Sequence, residues 1–492
     1  MSNQIAKLGV GLLLCFLVLF VQLNRVTVFG AQELKDNPTN NRSILRDFDA
    51  PRGTIVTADE VVVARSDATP EGARFDFART YPEGDLFAHT VGYFSLNLGA
   101  TGVEDTYNAE LAGRTLDLTF RNFDDLFVDR DRVGDVRLSL RADAQRQARD
   151  QLGERRGSVV AIDPRSGELL ALWSWPSFDP NAIATQDFGA ANAAYELLQA
   201  DERDPLLSKA YRERFFPGST FKIVTAGAGL ASESVTAEQP SYPVASEYTP
   251  PQTTRPLRNF GGSTCGGSLF DILRVSCNTA FAQMAIDLGP AQMVETAEAF
   301  GFNAAPPIDL PAPARSVFPT DFDQNLPALA QAGIGQNDVS ATPLQMAMAA
   351  AAVANEGRVM TPRVVAEIVD DDNTVVDDPE PTQWRQAVSA EHADVLRRAM
   401  VEVVERGTAR NLAIPGFEVG GKTGTAQLGT DPPRSHAWIV GFAGPPGQAP
   451  SVAVAVIVEG QPGASEQTGG QVAAPIARAV METVLASQAG GA

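Results

Sequence analysis

Histidine and cysteine are nearly absent from this chain, with three of each in 492 residues. His89, His392 and His436 are too few and too scattered for a histidine-built zinc site, and Cys15, Cys265 and Cys277 show no C-x-x-C spacing, so no metal centre is expected. The same scarcity excludes a small disulfide scaffold. Lysine is the third shortage: only Lys7, Lys35, Lys209, Lys222 and Lys422 occur among 39 basic residues, and the rest are arginine. Each lysine is therefore a candidate for a specific task. Basic charge as a whole is also short, 39 residues against 60 acidic ones for a net charge of -21, which leaves no basic face for phosphates and excludes a nucleic-acid partner. What is present is 44% hydrophobic and 20% charged residues, the composition of a globular protein of two to four domains rather than a disordered, collagenous or multi-span chain.

One apolar run stands out. Leu8 to Val21 is apolar or Gly throughout, and with Ile5, Ala6 and Leu23 it reaches the roughly 20 residues of one membrane span, interrupted only by Lys7 and Gln22. It reads as an anchor; the alternative is a cleaved signal peptide with Gly30-Ala31 as the nearest cleavage candidate. Cys15 lacks the small residue expected before a lipidated cysteine and reads as part of the span. Lys7 inside against Arg25 and Arg42 outside gives little orientation signal. In an oxidising exterior Cys265 and Cys277, 12 residues apart, can pair and stabilise by about 3 kcal/mol; otherwise they are two buried thiols.

Residues 24 to about 150 alternate short runs such as Gly53 to Val56 and Asp135 to Leu140 with polar turns, and the first amphipathic helix is Ala142 to Leu152. This reads as a small mixed domain. From Gly157 the pattern changes to a buried hairpin, Gly157 to Asp163 and Glu168 to Trp173, opening a second domain. Helices are expected at Phe221 to Leu230, Leu269 to Leu288, Gln292 to Phe300, Pro343 to Glu356 and His392 to Arg406. Between them lie Pro-rich connections at Ser241 to Pro256 and Ala305 to Pro319 and an acidic loop at Asp370 to Pro381. Strands return at Phe417 to Gln427, Ala437 to Ala443 and Ser451 to Val458, followed by a helix from Val472 to Leu485. Strands at both ends of the domain imply one antiparallel sheet with helices around it, an α+β fold without internal repeats.

Three short patterns carry chemistry. Phe216-Pro217-Gly218 is a turn, and Ser219-Thr220-Phe221-Lys222 opens the following helix with Ser219 and Lys222 on one face, close enough to touch. A serine hydroxyl becomes a nucleophile when a base takes its proton, and a lysine whose pKa is lowered by burial can be that base. Alone, the pattern equally describes a helix cap beside a solvated lysine. Ser276-Cys277-Asn278 lies in a helix-prone run; positions i and i+2 do not share a helix face, so both reach one site only if the chain leaves the helix there. Lys422-Thr423-Gly424-Thr425 lies in a strand, where Gly424 would let a ligand backbone lie close and Lys422 with the threonine hydroxyls suits a carboxylate. Its bland counterpart is an edge strand with a solvated lysine.

In the order S-x-x-K, S-x-N, K-T-G, spaced by 57 and 146 residues, the three resemble the signature of penicillin-binding proteins and class A β-lactamases. The chain as a whole resembles a class B penicillin-binding protein, most closely the small actinobacterial division-type PbpA group. Arg52-Gly53-Thr54-Ile55, Gly102-Val103-Glu104, Pro176 to Asn181, Gly335-Gln336, Thr342-Pro343, Arg406 to Ala409 and His436-Ala437-Trp438 extend the resemblance along the chain.

That resemblance implies a cytoplasmic stub and anchor over 1–23, a non-catalytic pedestal over 24–153 and a transpeptidase domain with a five-stranded antiparallel sheet over 154–489. It implies no cofactor. It implies that Ser219 attacks the penultimate D-Ala carbonyl of a peptidoglycan stem peptide, that Lys222 accepts its proton, and that Ser276 with Lys422 relays a proton to the leaving D-Ala. Asn278 would hold the substrate amide, Thr423 and Thr425 the terminal carboxylate beside Gly424, and the backbone N–H groups of Ser219 and Thr425 an oxyanion. A second stem peptide's amine would complete the cross-link, and β-lactam antibiotics would stall at the serine ester. Implied partners are the stem peptides of lipid-linked precursor products and a polytopic membrane glycosyltransferase reached through the span and pedestal, in cell wall synthesis and division. A Cys265–Cys277 disulfide would pin the second motif. His436 is expected to be structural. The alternatives are a D,D-carboxypeptidase or β-lactamase, which lack the anchor and pedestal, and a silent β-lactam sensor or division scaffold, for which only a few residues precede the span. A fused glycosyltransferase would not fit into residues 24 to 150.

Overall fold

The computed structural model describes residues 2–25, 48–115, 118, 132–322, 324–431, 434–461 and 468–490. The Gly30-Ala31 candidate and Arg42 lie outside them. Helix α1 (Ser2–Asn24) is apolar and long enough to cross a membrane, as an anchor or a signal sequence would be.

The amino-terminal unit is built on a mixed sheet. Strands β1 (Ile55–Val56), β2 (Val62–Ala68), β3 (Phe77–Thr80) and β4 (Asp135–Leu138) are joined by β1 running parallel to β4 and antiparallel to β2. The sheet is completed from far along the chain: Val365–Val369 pairs antiparallel with β4, and Val375–Asp377 pairs with Val365–Val369. The stretch expected as an acidic loop is thus a hairpin. Its turn closes because the Asp370 carboxylate accepts from the Asp372 and Thr374 N–H groups, a side-chain turn that acidity alone does not reveal. Two of the quoted sequence signatures meet in the interior of this unit. Arg52 Nε lies 2.7 Å from Glu104 Oε2 and Arg79 Nε 2.6 Å from Glu104 Oε1, all buried. Gly53 is required because a Cβ there would lie 2.0 Å from the Gly134 carbonyl oxygen.

Helix α2 (Ala142–Leu152) ends at Gly153, whose φ of +59° stops it. Then come β5 (Gly157–Ile162) and β6 (Leu169–Trp175), the expected hairpin. A helix that sequence reading missed, Phe188–Ala200, starts on Asp187, which accepts from the Gly189 and Ala190 N–H groups; its faces are largely exposed, so no apolar stripe announces it. Helix α3 (Lys222–Ala231) follows the first motif. The run from Leu269 is two helices, α4 (Leu269–Arg274) and α5 (Asn278–Ala299), and α5 is itself bent at Gly289-Pro290. Helix α6 (Pro343–Ala354) is buried over its entire length, and α7 (Ala390–Arg406) is amphipathic. Strands β7 (Glu418–Gln427), β8 (Ser435–Gly444) and β9 (Val452–Val458) precede the final helix α8 (Gly469–Gly490).

The central sheet has the order β7-β8-β9-β5-β6, antiparallel throughout, giving the expected five strands within an α+β fold. Helix α8 packs on one face, with α2 against it, and α6 covers β8, β9 and β5. Burial of both faces explains why β5 and β9 are continuous apolar runs rather than alternating ones. β7 is left at the edge, and α7 and the short turn Gly218–Phe221 that carries the first motif pack against it.

Candidate active site

Ser219 sits in a single 3-10 turn, Gly218–Phe221, immediately ahead of α3. Gly218 has φ +53°, its N–H donates to Gly335 O at 2.9 Å, and a Cβ on Gly335 (φ +73°) would lie 2.1 Å from Gly218 O. Two glycines back to back therefore hold the turn against β7 at Thr425 and Ala426. Gly424 belongs to the same packing. A Cβ there would lie 2.9 Å from Pro217 O, Thr220 Cγ2 and Trp438 Cβ, so the glycine admits the Ser219 turn, a packing role that the sequence reading did not assign to it.

The second motif meets the structural demand placed on it. Between α4 and α5 the chain leaves the helix at Ser276, a non-glycine residue at φ +59°. Such a conformation costs about 1 kcal/mol or more and is held by surrounding bonds: Ser276 N–H to Leu273 O, Cys277 N–H to Ile272 O, and Thr279 N–H to Asn259 Oδ1 at 3.0 Å. A disulfide joins Cys277 to Cys265, with 5.8 Å between their Cα atoms. Cys265 lies in a short strand, Cys265–Gly267, paired with Tyr242–Ala245, inside and beside what sequence reading took for connections. Asn259 is a residue that reading missed. It is buried, substitutes for the absent cap of α5, and also donates to Ala245 O and Ser263 O.

The three motifs converge on the Ser276 hydroxyl. Lys222 Nζ is 3.3 Å from Ser276 Oγ and Lys422 Nζ is 2.8 Å from it. Lys222 also donates to Ser276 O at 2.8 Å and Asn278 Oδ1 at 2.6 Å, while Lys422 donates to Thr423 O at 2.9 Å. Both side chains are fully buried. Burial pushes Lys422 down to about 7, and burial with the Lys422 charge beside it pushes Lys222 well below the usual lysine range. A neutral Lys222 amine has two N–H groups, matched by Ser276 O and Asn278 Oδ1, and its lone pair is left to accept a proton. None of the hydrogen bonds of Lys222 among the described residues goes to Ser219, which is where the structure departs from direct contact between the two.

Asn278 Nδ2 donates to Arg258 O and keeps a second N–H. Thr423 and Thr408 share a hydroxyl hydrogen bond of 2.8 Å, bringing Thr408 to the site. Thr408 stands in a quoted signature, but no local pattern assigned it a task. His436 is buried at the start of β8, its Nδ1 accepting from Gly460 N–H and its ring edge-on to Phe215; burial lowers it to about 4. That is a structural histidine, as expected. Lys209 is also buried but is paired with Glu213 at 2.6 Å. The site thus offers a half-buried hydroxyl at a turn, two buried amines and a second hydroxyl between them: parts for activating a nucleophile and moving a proton to a leaving group.

Comparison with known proteins agrees over the whole chain. The penicillin binding protein transpeptidase domain family matches residues 157–482, and the penicillin binding protein A dimerisation domain family matches residues 52–136. The chain is 37% identical over 498 residues to the peptidoglycan D,D-transpeptidase PbpA of Mycolicibacterium smegmatis, covering 99% of both chains. It is 36% identical over 502 residues to PbpA of Mycobacterium tuberculosis, again covering 99% of both. Among solved structures, the ceftriaxone acyl-enzyme of penicillin-binding protein A from M. tuberculosis superposes with a TM-score of 0.81 at 36% identity, over 90% of this chain and 100% of that one. Its imipenem acyl-enzyme gives 0.80, over 89% and 99%.

Proposed function

This chain belongs to the penicillin-binding protein transpeptidase family, and we propose that it is a peptidoglycan D,D-transpeptidase working through a serine acyl-enzyme on Ser219. The observation that carries the reading is the pair of buried, pKa-lowered lysines converging on Ser276 Oγ next to the Ser219 turn. Lys222 takes the Ser219 proton as the hydroxyl attacks the penultimate D-Ala carbonyl of a stem peptide. The developing oxyanion is held by the backbone N–H groups of Ser219 and Thr425; β7 is an edge strand, so alternate N–H groups along it face away from β8. Ser276, bonded to both lysines, passes a proton to the departing D-Ala amine with Lys422 behind it. Asn278 holds the substrate amide through its free N–H. Thr423 and Thr425 hold the terminal carboxylate, with Thr408 fixing the Thr423 hydroxyl. The amine of a second stem peptide then attacks the ester, forming the cross-link and releasing Ser219.

A β-lactam presents a strained amide in place of D-Ala-D-Ala and remains on Ser219, as ceftriaxone and imipenem do in the M. tuberculosis relative. We assign residues 1–23 to a single-pass anchor, 24–153 to a pedestal and 154–489 to the transpeptidase domain, with the bulk of the chain outside the cell membrane. The donor strands come from lipid-linked precursors polymerised by a partner, a polytopic glycosyltransferase that α1 and the pedestal would contact.

The test is labelling with a fluorescent penicillin, followed over time, with Ser219→Ala alongside. Stable label in the wild type and none in the variant is expected. Rapid loss of label would make the protein a hydrolase, and a folded wild type that never labels would make it a scaffold.

A further inference from the structure

Asn259 lies outside the three motifs, between a two-residue strand, Leu257–Arg258, and the 3-10 turn Phe260–Gly262. It is 5% exposed, and both ends of its amide are used. The Thr279 N–H can only donate, so Asn259 Oδ1 stands 3.0 Å from it, and the Nδ2 end gives its two hydrogens to Ala245 O at 2.9 Å and Ser263 O at 3.0 Å. One acceptor and two donors are needed in this span. Aspartate has the same shape but would turn an oxygen toward two carbonyl oxygens.

The residue beside it decides how the second motif faces. The Arg258 side chain is exposed and pairs with Glu247 at 3.3 Å, whereas its carbonyl accepts from Asn278 Nδ2 at 3.0 Å. A carbonyl oxygen only accepts, so the nitrogen of the Asn278 amide faces Arg258 and its oxygen faces Lys222 Nζ at 2.6 Å. The reverse orientation would set two oxygens against each other at Arg258 and aim an N–H at Lys222. That N–H would occupy the lone pair with which a neutral Lys222 accepts a proton. Whether the base is free thus depends on which way one amide is turned. Asn259 controls both sides of that amide: its Nδ2 end fixes the segment that carries the Arg258 carbonyl, and its Oδ1 fixes the backbone of Thr279, the residue after Asn278.

We propose that Asn259 is a positioning residue for acyl transfer, which keeps the Asn278 amide turned so that Lys222 is free to act as the base. The inference rests on the transpeptidase reading. It is tested on the intact protein by following fluorescent penicillin labelling to completion, which separates the rate of acylation from the fraction of protein that labels. The Cys265–Cys277 disulfide ties the loop to its neighbouring strand independently, so the loop stays attached when Asn259 is replaced. Asn259→Ala and the isosteric Asn259→Asp should both label to the wild-type extent but about 10- to 100-fold more slowly, the scale of a small misplacement of reacting groups. In an Asn278→Ala background there is no amide to turn, and adding Asn259→Ala should slow acylation by about twofold at most. Labelling of the Asn259 variants at the wild-type rate, with or without a lower final extent, overturns the proposal by reducing the residue to a structural one. An undiminished further loss in the Asn278→Ala background overturns it as well, since Asn259 would then act without Asn278. Failure of the wild type to label would instead overturn the acyl-enzyme reading on which it rests.

Discussion

Ser276 concentrates the chemistry of the site in one residue: a strained backbone, a hydroxyl between two amines, and no other bond for that hydroxyl among the described residues. Removing it as Ser276→Ala should leave the fold in place and slow acylation by about 10²–10⁴-fold, the usual worth of a positioned acid–base group, in stopped-flow labelling with penicillin. The lysines set the pH dependence. Both are pushed down by burial, so each is neutral above its lowered pKa and charged below it. If a neutral Lys222 is the base, the rate of acylation should fall as pH drops through the lowered pKa of the coupled lysine pair, well below the usual lysine range. A profile with no acid limb at any pH where the protein stays folded would remove Lys222 as the base. At this scale the motif lysines were legible because lysine is so rare in the chain. Two things were not legible. Gly424 serves packing against Pro217 and Thr220, a reason visible only when the turn and the strand are side by side. Thr408 acts through a hydroxyl 15 positions away, which no local spacing encodes.

Elements deliver these residues by breaking where the sequence said they must. Serine and asparagine two apart cannot share a helix face, and the break between α4 and α5 follows. What could not be read was how the break is held: Asn259 reaches it from 20 positions upstream of Thr279, and the cysteine pairing was left open because spacing does not fix separation. The disulfide ties the loop to the Cys265–Gly267 strand, so Cys265→Ser with Cys277→Ser should cost about 3 kcal/mol in chemical denaturation and also slow acylation. Unchanged acylation would confine the bond to stability. In the amino-terminal unit, Glu104 holds two guanidiniums in the interior, and although burial opposes it, Arg79 and Arg52 keep its carboxylate below the usual range. Glu104→Gln leaves two buried positive charges short of a counter-charge and should destabilise that unit by about 3–5 kcal/mol, read from the urea midpoint.

Over the whole molecule the two units are fastened by chain crossing rather than by a flat contact. Val365–Val369 and Val375–Asp377 follow the first helices of the catalytic unit, yet they extend the amino-terminal sheet, with Val365 opposite Leu138 and Ile368 opposite Val136, all buried. The junction is tied further by polar groups. Asp309 accepts from Val364 N–H, Val365 N–H and the Tyr107 hydroxyl, and the buried Gln145 side chain bonds to Leu86 and Leu172 across the boundary. A cut at residue 153, where composition and strand pattern change most visibly, therefore leaves these strands without the sheet they complete. A fragment of residues 154–489 would expose Val365, Ile368 and an unpaired strand edge, the kind of surface that invites edge-to-edge association. It should melt several degrees below a chain that begins at residue 48 and should elute as aggregate in size exclusion. Fragment and longer chain melting together, both monodisperse, would mean that the catalytic unit does not depend on the sheet it reaches into. The expected outcome makes the amino-terminal unit a structural part of the enzyme, so that force or contact applied to it acts on the hairpin that follows α6, and α6 lies beneath the central sheet whose edge strand carries Lys422.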